Sequence, residues 1–355
     1  MKRVLFFGIY DPGYARSRIF TEGFAALGYE VVPCRVDPRN ARSLHKYQLL
    51  WRQGRALRHE SFDLVLVLFP GQTVVWLARL LFGNRIVFDA FVSLHDSNVF
   101  DRKKYGRYSL KAWRDWLLDR FSCALARTVL VDTIEHKRYF SERLGIPEHK
   151  LIVVPVGASK EWFSASVEKG ERQATPLRVV FYGSYIPLHG VEVIVRAAAL
   201  VADLPLRFEL IGGGQEYGRV RELVEALGVA NVAFEERVPL QELVERVRAA
   251  DICLGIFGST PKAERVIPNK VYECAALGKP IITTNTPAIR EVFTPDESIA
   301  LCEASPEALS EALRALAADK AMRTRLGARA RVLMERGYTP LRLCEIVCKS
   351  VSVGT

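Results

Sequence analysis

Residues 254–291 read LGIFGSTPKAERVIPNKVYECAALGKPIITTNTPAIRE. An apolar strand gives way to a loop of small residues. Pro268 then opens a short helix where its missing N–H costs nothing, Gly278 closes it and Pro280 stops it resuming. Ile281-Ile282 starts another strand, and Pro287 the next turn. Strand, loop, helix and strand in this order make one unit of a parallel α/β sheet. A helix N-terminus just after a strand presents unsatisfied N–H groups and a positive dipole end, which suits a phosphate. Lys270 and Glu273 lie three apart and share one helix face. A cation and a carboxylate beside such a helix end fit a nucleoside diphosphate with its ribose alongside. A buried αβ unit with two solvated charges has the same pattern, and this stretch alone leaves both readings open.

The same alternation extends outward. Upstream come a strand over 178–182, the loop GSYIPLHG, a helix over 191–201, a strand over 206–211 and the loop GGGQEYG. A helix over 220–227, a strand over 231–234, a helix over 240–249 and a strand over 252–256 follow. Downstream, 306–336 reads as helical and 341–351 as a last helix. Before the polar stretch 157–176 lies a second series, with strands over 4–9, 30–35, 64–69, 85–91, 128–131 and 151–155. Its first strand runs into a loop, Gly8 to Gly13, that lacks the GxGxxG dinucleotide fingerprint. A chain of 355 residues exceeds one typical core. The expectation is an α/β protein of two Rossmann-like domains facing across a cleft, residues 1–165 and 176–336, with 337–355 a helix returning to the first domain.

Composition narrows the class. Apolar residues make up 49% and charged residues 25%, which excludes a largely disordered chain. No apolar run approaches a membrane span. The opening MKRVLFFGIYDPG reads as a first strand, since its apolar run meets Asp11 too early for a signal peptide. Seven cysteines without a CxxC pair read as reduced core residues of a cytoplasmic protein. Cys344 and Cys348 are one turn apart, but no local His completes a zinc set.

Charge is divided unevenly. Residues 1–150 hold 25 Lys and Arg against 15 Asp and Glu, and the rest of the chain holds 25 of each. The whole net charge of +10 thus falls in the first half, which marks that half for an anionic partner. Two stretches concentrate it. Residues 42–59 place Arg42, Lys46, Arg52, Arg55 and Arg58 among Leu44, Leu49, Leu50 and Trp51, a basic amphipathic helix with a solvated or a lipid-facing side. Residues 102–127 set Arg102, Lys103, Lys104, Arg107 and Lys111 beside Tyr105, Tyr108, Trp113 and Trp116, either a headgroup-binding element or a helix packed under the sheet. No helix-turn-helix or RNP segment points to nucleic acid. At the end of the fourth strand, Asp89, Ser93, His95 and Asp96 gather where open α/β sheets bind ligands.

Four features together resemble glycosyltransferase family 4, the retaining sugar-nucleotide transferases of GT-B fold. They are Gly183 to Gly190 after one strand, Gly212-Gly213-Gly214-Gln215 after the next, Val238-Pro239 ahead of a helix, and PNKVYECAALGKPII followed by TPAIREVF. FDAFVSLHD and VLVDTIEHKRYF are family-like stretches of the first half. The resemblance implies a nucleotide-sugar donor, UDP- or GDP-linked, with Glu273 on the ribose hydroxyls and the Val238 backbone on the base. Gly183, Gly213 and the loop Val266 to Asn269 would approach the diphosphate, with Lys262 close by. Asp89 or His95 would contact sugar or acceptor, with Asp96 beside them, and the Gly8 loop with Tyr10 would face the cleft. No DxD motif is present, and no metal is expected.

The departures are specific. Relatives commonly carry Arg after the first glycine and Lys before the second, where this chain has Ser184 and His189. The usual first Glu of a Glu-x7-Glu pattern is Arg265, with Glu264 one residue earlier. Lys262, Arg265 and Lys270 then become the expected cations for the leaving diphosphate, Lys270 foremost. The implied activity is hexosyl transfer to a glycan or lipid-linked acceptor by a cytoplasmic protein peripheral at the inner face of the plasma membrane. A weak or inactive sugar-nucleotide binder and a GT-B epimerase are the alternatives.

Overall fold

The structure is a computed structural model that describes residues 1–39, 44–164 and 176–352. Arg42, residues 165–175 of the polar stretch and residues 353–355 lie outside the described residues. The chain forms two compact units, residues 1–156 with 339–355, and residues 157–338.

In the first unit β1 (Lys2–Ile9), β2 (Tyr29–Val36), β3 (Leu64–Val67), β4 (Ile86–Phe91), β5 (Thr128–Val131) and β6 (Leu151–Val153) form a sheet ordered β2-β1-β3-β4-β5-β6. Every pairing is parallel. Its central strands are apolar on both faces because helices cover both; LVLV in β3 is buried throughout. The helices are α1 (Ala15–Ala26), α2 (His45–Leu57), α3 (Val75–Phe82), α4 (Leu110–Leu125) and α5 (Ile134–Leu144). Thr133 caps α5 through its side chain, and Gly145, at φ 67°, ends it. The apolar side of α2 faces inward: Leu50 is in the core, and Tyr47, Leu49, Trp51 and Leu57 pack against it. The cations of this helix therefore form a solvated face.

The second unit begins with α6 (Lys160–Ser164) and repeats the plan. Its strands are β7 (Leu177–Ser184), β8 (Leu206–Gly213), β9 (Val232–Glu235), β10 (Ile252–Leu254), β11 (Ile281–Thr284) and β12 (Ala300–Cys302), ordered β12-β11-β10-β7-β8-β9 and all parallel. The helices α7 (Val191–Leu200), α8 (Tyr217–Leu227), α9 (Leu240–Arg248), α10 (Asn269–Ala276), α11 (Pro287–Arg290), α12 (Pro306–Ala318) and α13 (Lys320–Gly337) accompany them. Among the details that differ from the sequence reading, α6 lies inside residues 1–165, expected as the first domain, and belongs to the second unit. The edge strand β12 is too short to show a period. The helical stretch 306–336 is two helices, because Asp319 leaves helical geometry and its side chain caps Met322 N–H.

The strand order reverses between β7 and β10: the chain leaves β7 towards β8 and β9, then returns to β10 on its other side. Connections diverge there, so a crevice opens beyond the carboxyl ends of these two strands. The last helix, α14 (Pro340–Ser352), belongs to the first unit and packs on α1. Gly23 makes room for it, since a Cβ there would collide with the Pro340 carbonyl and the Cys344 thiol.

Candidate functional site

Three loops meet at the β7/β10 switch point. The loop after β7 is tied to the one after β8 by Tyr185 N–H on the Gly213 carbonyl, 3.0 Å. It is tied to the loop after β10 by Phe257 N–H on His189 O, 3.1 Å, and Gly258 N–H on Leu188 O, 3.2 Å. A small apolar cluster of Leu188, Ile256, Ala263 and Val266 lies between the last two. Gly212 has φ +132°, and a Cβ on it would strike the Gly183 carbonyl. Only glycine allows the two strand ends to run this close.

Into this junction α10 brings two charged side chains. Pro268 precedes the helix in extended conformation, and no side chain caps the helix end. Lys270 is 4% exposed. Its Nζ lies 3.7 Å from the Phe181 ring centroid and 3.1 Å from where a Cβ on Gly183 would sit. It has no hydrogen-bond partner among the described residues. Burial holds the Lys270 ammonium well below the usual lysine range, with Cys274 and Glu273 acting in the opposite sense. A buried amine facing a glycine, with no hydrogen-bond partner among the described residues, has the chemistry to receive an anion.

Glu273 follows on the same helix face, 6% exposed. Its Oε2 accepts the Tyr182 hydroxyl at 2.6 Å, which leaves the carboxylate oriented. Tyr182 stacks on Trp162 of α6, centroids 6.0 Å apart and planes 11° from parallel. Tyr182 had no signal in the sequence beyond being the residue before Gly183.

The loop after β7, expected near a diphosphate, holds its two departures in place. Nδ1 of the mostly buried His189 donates to the Ser184 carbonyl, which turns the imidazole back onto its own loop. The Ser184 hydroxyl accepts Arg237 Nη2 at 3.2 Å. Arg237 is exposed and stands just before Val238. Its one sequence signal is adjacency to Val238-Pro239. Of the other expected donor residues, Gly213 ends β8, Asn269 begins α10 and Val238 is half-buried. Lys262 is buried, Arg265 half-buried and Glu264 exposed on one short turn of the loop after β10.

In the first unit Asp89, expected on the acceptor side, has an ion-pair partner within the chain. Asp89 is fully buried, and Arg16 Nε contacts both its carboxylate oxygens, at 2.8 and 3.0 Å. Arg16 Nη2 lies 2.8 Å from Oδ1, and Nη1 donates to the Val154 carbonyl at 2.9 Å. The carboxylate is committed to holding α1 against the sheet. Asp96 is likewise buried, with its N–H on Ser93 Oγ at 3.0 Å. His95 is half-buried, its Nδ1 3.5 Å from the Tyr139 hydroxyl, and burial lowers its pKa. Gly8 and the buried Tyr10 stand at the end of β1. Asp132 pairs with the buried His136, one helical turn away; the i,i+4 spacing is the sequence signal for that pair.

Comparison with known proteins accords with this layout. Residues 164–333 match the family model of glycosyl transferases group 1, and residues 3–157 that of the glycosyl transferase 4-like domain. No curated protein sequence matches. Among solved structures, sucrose-phosphate synthase from Thermosynechococcus elongatus is similar with a TM-score of 0.76 at 15% identity, over 100% of both chains. HepE from Anabaena, solved with UDP and glucose, is similar at 0.75 and 14% identity, over 99% of this chain and 100% of that one. A glycosyltransferase from Rickettsia africae gives 0.68 at 12% identity, over 100% and 99%.

Proposed function

The chain belongs to the group 1, family 4-like glycosyltransferases, and on that premise we propose that it moves a hexose from a UDP- or GDP-sugar, with retention at the anomeric carbon, to a glycan or lipid-linked acceptor at the cytoplasmic face of a membrane. The observation that carries the donor side is Lys270, a buried amine without a hydrogen-bond partner among the described residues, beside Gly183 and the start of α10, which no side chain caps. A diphosphate there would meet the ammonium, the free N–H groups of the helix end and a glycine that lets it approach. Glu273, held from behind by Tyr182, would accept the ribose hydroxyls.

In the transfer, the bond from C1 to the β-phosphate oxygen breaks while the bond from C1 to the acceptor oxygen forms. The acceptor's proton passes to the departing phosphate oxygen on the same face. Charge placed on that oxygen stabilises the transition state more than the ground state, which is the role assigned to Lys270. Arg237 supplies a second cation: it reaches the Ser184 hydroxyl, the position where relatives place an Arg. The second reading, a sugar-nucleotide binder with little turnover, draws on Ser184 and His189 standing where two cations are expected; Arg237 answers one of those losses. The acceptor side rests on the basic first half of the chain.

A thermal-shift screen with UDP-, GDP-, ADP- and dTDP-sugars tests the donor. HepE is solved with UDP-glucose, so UDP-glucose comes first. A donor at about 100 times its Kd stabilises by about 2.7 kcal/mol. No shift with any of the four would sink the proposal. Proton NMR of the transferred sugar then reads retention directly.

A further inference from the structure

Helix α4 is built inside out. Its inward residues are Ala112, Asp115, Asp119, Ser122 and Cys123. Its outward residues include Leu110, Trp113, Leu117 and Phe121, exposed by 90, 58, 50 and 56%. These four fall on one stripe, because steps of three and four residues return to the same side of a helix. The polar interior is fully employed. Asp119 accepts Ser93 Oγ at 2.7 Å and the N–H groups of Leu94 and His95 at 3.0 Å each. Asp115 accepts Asn98 at 2.8 Å and the Tyr105 hydroxyl. Both acids of α4 are thus turned inward, and its outward side carries apolar and cationic side chains only. The neighbouring helix α3 exposes Trp76 and Leu80 with Arg79 between them in sequence.

Cations frame the stripe. Lys103, Lys104, Arg107 and Lys111 are exposed on and just before α4, in the half of the chain that holds the entire +10 charge. An apolar stripe of this size on a solvent-facing helix marks a docking surface. Aromatic and aliphatic side chains flanked by lysines match the boundary between headgroups and acyl chains, where rings sit at the interface and ammonium groups reach anionic phosphates. No helix among the described residues is long and apolar enough to cross a membrane, so attachment through this face would be peripheral.

We infer that the outward stripe of α4, with the exposed side chains of α3, seats the first unit on an anionic bilayer. This rests on the membrane part of the function proposed above and not on its donor chemistry. It names the helix that makes contact: α4, and not the basic helix α2, whose apolar side is spent on the core.

The test is flotation of the full chain with vesicles of phosphatidylcholine alone and of phosphatidylcholine mixed with phosphatidylglycerol. The expected result is binding to the mixed vesicles, weakened by salt, with a blue shift of tryptophan emission. The variant Trp113→Ser/Leu117→Ser/Phe121→Ser should lose roughly tenfold or more of that binding while its melting temperature holds, since these side chains are exposed. Lys103→Glu/Lys104→Glu/Lys111→Glu, which leaves the stripe intact, should lose binding to a similar extent. Unchanged vesicle binding by either variant overturns the inference, as does equal binding to neutral vesicles. If instead the wild-type chain dimerises and the serine variant is monomeric, with neither binding vesicles, the stripe is a contact between copies and the inference fails. Donor-induced thermal shifts measured on the same samples separate this outcome from failure of the donor site.

Discussion

Replacing Lys270 by Met should stabilise the unliganded protein and disable it at the same time. Methionine has nearly the volume of lysine and no charge, so it fills the space beneath Gly183 against Phe181 without a buried group lacking a partner. Leaving such a group unpaired costs about 1–3 kcal/mol, and that is the expected gain. It corresponds to roughly 2–4 °C in Tm per kcal/mol for a unit of this size. The sign of the pH dependence follows from burial, which depresses Lys270 below its ordinary value of 10.5. Below the depressed value both folded and unfolded chains carry the proton and the full burial cost is present. Between it and 10.5 the unfolded chain holds the extra proton, so wild-type stability rises with pH. The advantage of Lys270→Met should therefore be greatest at low pH and shrink as pH rises. Turnover should fall by roughly 10²–10³, about 2.7–4 kcal/mol, the usual cost of removing one charge-stabilising donor. The fall should appear in kcat and not in the donor KM alone. Denaturant unfolding across pH and steady-state kinetics at saturating donor measure the two arms. A variant that unfolds more easily than wild type, or one that is folded and turns over normally, refutes the assignment.

Further outcomes can be set against the same site. Glu273→Ala should weaken UDP binding roughly ten- to a hundredfold, the cost of hydrogen bonds to a charged group, with Tyr182→Phe milder because it loses only the bond that orients the carboxylate; calorimetric titration with UDP compares them, and equal affinity for all three proteins removes Glu273 from the ribose. Arg237→Ala should raise the donor KM roughly tenfold, Arg237→Lys less, and Ser184→Arg added to Arg237→Ala should restore part of it; no recovery means that the two positions do not share a ligand. Arg16→Ala should destabilise the first unit by about 3–5 kcal/mol, since it strands a buried carboxylate. If Asp89→Asn were to abolish transfer with stability unchanged, the structural role given to that pair would be wrong. Gly23→Ala should cost about 1–3 kcal/mol by overpacking α1 against α14, read by chemical unfolding.

Much of the architecture was written locally. Parallel strands buried on both faces are short apolar runs, and helices between them are bounded by capping residues such as Thr133, Pro268 and Gly278, so the sequence alone carries the alternation, the two-domain plan and the place of Lys270 and Glu273 on one helix face. What it could not carry is which distant residues share a volume. Tyr182 reaches Glu273 across 91 positions, Arg16 reaches Asp89 across 73 and Arg237 reaches Ser184 across 53. Those meetings depend on the order in which the strands lie in each sheet, and periodicity is blind to strand order. The same limit explains Asp89 and α4. A carboxylate at a strand end and a helix mixing Trp with Lys read identically whether they face a ligand, the core or the solvent, because facing is a property of packing. Tertiary structure turned the first into an anchor for α1 and the second outward, while Lys270, reached by both routes, is placed by the sequence and made unusual only by the fold that buries it.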